Sequence, residues 1–336
     1  MRFIRFTTLL ATLCALPVMA AEQVNIYSFR QPFLIDPILQ EFSRETGIKT
    51  KVVFAKKGLI QRLKREGELS PADLVLTSNF SKLLELKDEQ LTQAFNASDT
   101  LRHNIPARFR DDENHWLALT QRVRNIYSSK DRRGDLSNIR YEDLADASFR
   151  GKICTRSGKH PYNLGLIASM IAHHGEAETE QWLRGVKANL ARKPQGNDRA
   201  QVKAIKEGLC DVSLGNSYYL GKMLQDKNQV AWANAVNLNF PNQQDRGSHI
   251  NVSGAVITRH APNKAAAEKL LTFLSGEKAQ QMYAELNMEY PVKAGVPASE
   301  LVQSWGDFKA DPLPLTDIAK HRKAALTLVD KVGFDL

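Results

Sequence analysis

Two hydrophobic periods alternate along residues 23–90, and that alternation leaves few folds open. Residues 24–27 form a short apolar strand, after which Ile35, Ile38, Leu39 and Phe42 fall at i, i+3, i+4 and i+7, one face of a helix. Gly47 supplies a helix stop, residues 48–54 alternate as a second strand, residues 59–66 predict a helix, and residues 73–77 a buried strand. Such a βαβαβ run builds a mostly parallel sheet covered by helices.

The second half repeats the pattern. Strands are predicted at 151–155 and 211–215. Helices are predicted at 163–174, ended by Gly175, at 178–190, and at 198–206, stopped by Gly208. Between the halves, residues 116–127 are extended and contain neither Gly nor Pro, which suits a strand crossing from one unit to the other. A second crossing is expected at 240–250, followed by a strand at 251–258 that rejoins the first sheet, and then by helices at 263–274, 278–286 and 316–332. The expected fold class is therefore α/β with two lobes: residues 21–118 plus 247–292, residues 119–246, and a C-terminal helical segment, 293–336.

Arg2 and Arg5 precede an apolar run over 7–19 that ends in Val18, Met19 and Ala20, so residues 1–20 read as a secretory signal peptide and the mature protein as exported. Acylation at Cys14 is the competing reading, opposed by the bulky Leu13 before it. The mature chain keeps Cys154 and Cys210, which an oxidising compartment would pair. No later stretch is long and apolar enough to span a membrane.

The formal charge is +9, from 46 Lys plus Arg against 37 Asp plus Glu. Basic and acidic residues are interleaved, with no basic helix or base-stacking platform, which argues against nucleic acid and leaves a positive field suited to an anion or an acidic partner. GxSxG, HExxH, P-loop, GxGxxG and CxxC patterns are absent, which leaves catalysis without positive evidence in the sequence. His173 and His174 point about 100° apart on a helix and suit a C-terminal helix cap better than a metal pair.

Three tyrosines carry more information. Tyr218 and Tyr219 follow the 211–215 strand, at the strand end where open α/β sheets bind ligands, and Tyr162 follows the 151–155 strand. A Cys154–Cys210 bridge would set those two turns side by side. Paired tyrosines at such a position are also common as core or sugar-stacking residues. A phenol titrates near pH 10 and is a poor anion unless a hard, highly charged cation such as ferric ion favours phenolate.

At these residues the chain resembles the periplasmic ferric-ion-binding proteins of ABC iron importers, bilobed type II solute-binding proteins. The resemblance runs through residues 27–34, 70–77, 156–163, 188–199 and 208–219, the last being the most specific. It implies a two-lobed periplasmic-binding-protein fold with the ligand held between the lobes, no catalysis, and Tyr162, Tyr218 and Tyr219 as Fe3+ ligands. It also implies delivery to an inner-membrane ABC permease and a monomeric state. The first lobe departs: many members carry His-Tyr where this chain has Gln31 and Pro32, and a subgroup has Tyr where Phe29 stands. Water, Gln31, or a synergistic anion such as carbonate or citrate would complete the metal. Arg30, Arg122 and Arg124 are candidates to hold that anion or balance the phenolates, with hinge or surface salt bridges as the other reading. The alternatives are a small-anion-binding protein whose tyrosines only line the cleft, and a secreted enzyme using a bound metal as Lewis acid.

Overall fold

The computed structural model describes residues 22–336, so the expected signal peptide lies outside the described residues. In chain order, the first body contains β1 (Gln23–Ser28), α1 (Pro32–Thr46), β2 (Lys49–Phe54), α2 (Leu59–Glu66), β3 (Leu74–Thr77), α3 (Phe80–Asp88), β4 (Thr92–Gln93) and α4 (Asp99–Asn104). The long strand β5 (Leu117–Ser129) leaves it and leads to β6 (Ile153–Cys154), α5 (Pro161–Ala188), α6 (Asp198–Lys206), β7 (Val212–Asn216), α7 (Tyr218–Leu224), α8 (Val230–Ala233) and β8 (Val236–Asn239). The chain returns through β9 (Ile250–Thr258), α9 (Lys264–Ser275), α10 (Glu277–Asn287) and β10 (Tyr290–Pro291). It ends in α11 (Glu300–Gln303), α12 (Leu315–Lys320) and α13 (Arg322–Val332).

The helix faces follow the periodicity. Ile35, Ile38, Leu39 and Phe42 are the buried residues of α1. Burying side chains of this size stabilises the fold by roughly 1.5–3 kcal/mol each. Gly47 ends α1 in the left-handed conformation. In α5 the predicted stop at Gly175 is a break, φ 78° and ψ 170°, between two helical stretches that otherwise run on.

The strands run in the order β2-β1-β3-β9-β5-β7-β6. Pairing is parallel within β2-β1-β3 and between β6 and β7, but antiparallel wherever β5 or β9 takes part. The sheet is mixed rather than mostly parallel, because β5 and β9 both run against the direction of their neighbours. β5 is the crossing: residues 117–123 pair with β9, and residues 124–129 pair with β7 and β8. The second crossing, expected at 240–250, is made of turns rather than strand, between β8 and β9. β6 is shorter than its predicted five residues, and the final predicted helix is interrupted at His321. Both α12 and α13 pack on α5. Among the described residues no helix is long and apolar enough to cross a membrane.

Candidate functional site

Tyr162 occupies the second position of α5. His160 caps that helix, its Nδ1 accepting from the Tyr162 amide at 3.2 Å, and Pro161 has no amide to leave unpaired. The phenol is thus carried on the end of a long helix where negative charge is stabilised. The loop before it is held by Asn163, whose side-chain nitrogen donates to Thr155 Oγ1 at 3.1 Å and to the carbonyls of Arg156 and Ser157 at 3.0 and 3.2 Å. Tyr218 and Tyr219 open α7 directly after β7. Ser217 fixes that turn to the crossing strand: its amide donates to the Val123 carbonyl at 3.0 Å, and its hydroxyl accepts from the Val123 amide at 3.2 Å. Cys154 and Cys210 form a disulfide with a Cα–Cα distance of 5.8 Å, tying β6 to the turn that enters β7. Both tyrosine-bearing turns therefore leave adjacent, bonded strands.

The Tyr218 and Tyr219 rings stack with centroids 4.1 Å apart. The Arg122 guanidinium lies 5.5 Å from the centre of the Tyr162 ring and 6.0 Å from that of Tyr218. Arg156 is 5.3 Å from the Tyr162 ring, and Arg199 5.5 Å from the Tyr219 ring. Burial, and then the neighbouring Tyr162 and Tyr219 phenols, push the Tyr218 hydroxyl well above its ordinary value. Burial, followed by Tyr162 and Asp198, raises Tyr219 as well. On their own these two groups stay neutral at physiological pH. A cation must displace their protons before they can act as anionic donors. Among the described residues no group of three or more His, Cys, Asp or Glu is placed to hold a metal ion.

Around the tyrosines stand two arginine pairs, each sharing one buried carboxylate. Arg30 donates to Glu289 at 2.8 and 3.4 Å, and Arg122 lies 3.6 Å from the same carboxylate. Arg30 also bonds the Ser253 hydroxyl, and Arg122 the Ser78 carbonyl. In the second lobe Arg124 donates to Asp198 at 2.7 Å and to Asn163 Oδ1 at 2.6 Å, while Arg156 reaches the other Asp198 oxygen at 3.1 Å. Burial opposes ionisation of Asp198, but Arg124, Arg156 and the Asn216 amide outweigh it and hold its carboxyl below the usual range. Each set of two guanidiniums and one carboxylate leaves one positive charge uncompensated beside the phenols.

The structure thus brings Tyr162, Tyr218, Tyr219, Arg30 and Arg122 to one place. Arg124 is turned into the second lobe and engaged by Asp198, Asn163 and Asn216. Gln31 sits at the start of α1, and its side chain makes no capping bond there. His173 and His174 diverge as expected, but each meets a carboxylate from elsewhere in the chain rather than a helix end: Asp311 and Glu142, both at 2.7 Å. Glu289, Asp198 and Arg156 escaped the sequence reading. Asp198 and Arg156 lay inside stretches already singled out, whereas Glu289 carried no local signal.

The family described as bacterial extracellular solute-binding protein matches residues 69–308. The iron uptake protein A1 of Synechocystis is 37% identical over 93% of this chain and 88% of its own length. The apo ferric ion-binding protein A of Pasteurella haemolytica superposes with a TM-score of 0.90 at 55% identity, covering 94% of this chain and 99% of that one. A Trichodesmium protein in complex with iron and citrate ligands gives a TM-score of 0.88 at 38% identity, over 93% and 99% of the two chains. With a two-lobed fold shared along almost its whole length with such proteins, the chain belongs to the bacterial extracellular solute-binding protein family.

Proposed function

We propose that this protein captures ferric ion in the periplasm and passes it, without chemical change, to an inner-membrane ABC permease. The observation that carries the reading is the convergence of Tyr162, Tyr218 and Tyr219 beside Arg122, with two uncompensated guanidinium charges at hand. Tyr162, Tyr218 and Tyr219 are the metal ligands, each losing its proton as iron binds. The surplus positive charge, at Arg30 and Arg122 above all, calls for an anion as well, and carbonate or citrate would complete the metal's coordination in place of first-lobe side chains. The solved relative with iron and citrate supports that pairing. The lobes are residues 21–118 with 247–292 and residues 119–246, with 293–336 as a helical appendage, and the protein works as a monomer.

The test is a titration of metal-stripped protein with ferric citrate, following the visible phenolate-to-iron charge-transfer band in wild type and Tyr219→Phe. The expected result is a coloured one-to-one complex in wild type. In Tyr219→Phe the affinity should fall by about 100-fold or more, since losing even an outer partner of a metal ligand costs roughly 10–100-fold. Affinity unchanged within a factor of a few would remove Tyr219 from the ligand set. The same surplus charge favours one second reading, a metal-free anion site lined by the tyrosines. Arginine-dependent citrate binding with no colour would establish it.

A further inference from the structure

Outside the second lobe, the tyrosine helix α7 packs on α11 and meets the C-terminal end of α10. Met288 follows α10 in the left-handed conformation, φ 58°, which a residue with a Cβ adopts only at a cost of about 1–3 kcal/mol. It is 2% exposed, and Ser299, the cap of α11, donates its hydroxyl to the Met288 sulfur at 3.4 Å. Facing it is Gly221, two residues beyond Tyr219. A Cβ at Gly221 would lie 2.6 Å from Met288 Cγ and 2.8 Å from its Cβ, so helix and side chain meet with no space to spare. Next to Gly221, Lys222 donates to the Leu286 carbonyl at 3.1 Å, placing a cation on the last turn of α10 where the helix dipole favours it. Immediately after Met288 comes Glu289, the carboxylate shared by Arg30 and Arg122. One short stretch of the first lobe therefore touches both the helix that bears two phenols and the arginines that face them.

We propose that Met288 is a positioning residue of the site: it seats α7 at a fixed height against the first lobe, and so sets Tyr218 and Tyr219 relative to Arg30 and Arg122. The strained turn is kept because only there does the side chain meet Gly221 while the next residue turns back to the two guanidiniums. The iron-release limb of the test rests on the ferric reading above; the seating itself does not. Bulk at positions 221 and 288 is then complementary, and the effects of changing both are non-additive.

The test has two limbs. In metal-free protein, Met288→Ala is expected to raise amide hydrogen exchange in α7 at least tenfold, with strand β1 unchanged. Unchanged exchange in α7 overturns the proposal, whatever the protein binds. If Met288→Ala does not accumulate folded, Lys222→Met removes the bond to Leu286, together with an exposed one to Gln225 within the second lobe, and carries the same measurement. In ferric-loaded protein, Met288→Ala and Gly221→Ala each keep the phenolate band but release iron to a competing chelator at least fivefold faster than wild type. The double variant releases more slowly than Gly221→Ala alone, because trimming Met288 removes the Cγ that the added methyl would meet at 2.6 Å and leaves only its Cβ, at 2.8 Å, to give way. A double variant no slower than that single one overturns the proposal. A wild type that forms no coloured complex refutes the ferric reading instead, and the exchange limb then decides.

Discussion

The two sides of the site are built by opposite strategies. On the second-lobe side, the phenols, the disulfide, Asp198, Asn163 and Arg156 all come from within one run of chain, on turns that leave bonded neighbouring strands. On the first-lobe side, Arg30 and Glu289 meet across 259 positions of sequence, with Arg122 arriving from the crossing strand. One side offers phenols on a stapled scaffold. The other offers charge and position, assembled only when the whole first sheet is complete. In this protein the phenol cluster is a local property of the chain, while the charge that faces it is a long-range one.

That contrast is sharpened first by removing the staple. Cys154→Ser with Cys210→Ser opens a loop of 56 residues and is expected to cost about 4 kcal/mol by the chain-entropy account, read as a lowered denaturant midpoint. If the loss is as small as for a surface substitution, the disulfide is not what holds the tyrosine-bearing turns. Next, Asp198→Asn strips two buried guanidiniums of their shared carboxylate and should destabilise by about 3 kcal/mol or more, measured by urea unfolding.

A pH profile probes the seam between the sides. His249 is buried, with neither ring nitrogen hydrogen-bonded, beside Gly165 of the second lobe and Phe80 of the first. Burial lowers its pKa to about 4, against an unfolded value near 6.5. The unfolded chain therefore takes the proton first, and stability is lost as pH falls from 6.5 towards 4, by about 2 kcal/mol at pH 5. Thermal unfolding of His249→Gln should show a flatter slope over that window. An unchanged slope would place the titration elsewhere. The smallest effect is expected of Arg199→Ala, which removes the cation over the Tyr219 ring. Ferric affinity should fall about threefold, in keeping with roughly 0.5–1 kcal/mol for a partly exposed pair.

What the residues declared in advance follows the same division. The strand-helix alternation, the crossing at β5 and the stop at Gly175 were legible because each is a short-range pattern of periodicity or backbone permission. The tyrosine turns were legible because a cysteine on one strand and another just before its neighbour announced their adjacency. Glu289 was not, since it acts only through a turn after α10 whose left-handed residue is Met288, where Gly or Asn would have given a signal. Arg124 was named, but its partner Asp198 lies in a helix that nothing short-range connects to it. The direction of the strands beside β5 and β9 was likewise a property of the closed topology rather than of any segment.

The pairing of β3 with β9 carries a consequence for how the molecule comes into being. Leu74 waits for Ile257, so a chain emerging from its N-terminus leaves that sheet with an open edge until more than two hundred residues have appeared. The strands of the inserted unit, β5 to β8, are all present by Asn239. The half inserted in the middle of the sequence therefore completes its sheet first. The half that begins the chain is finished last, over a partner whose disulfide can already have closed.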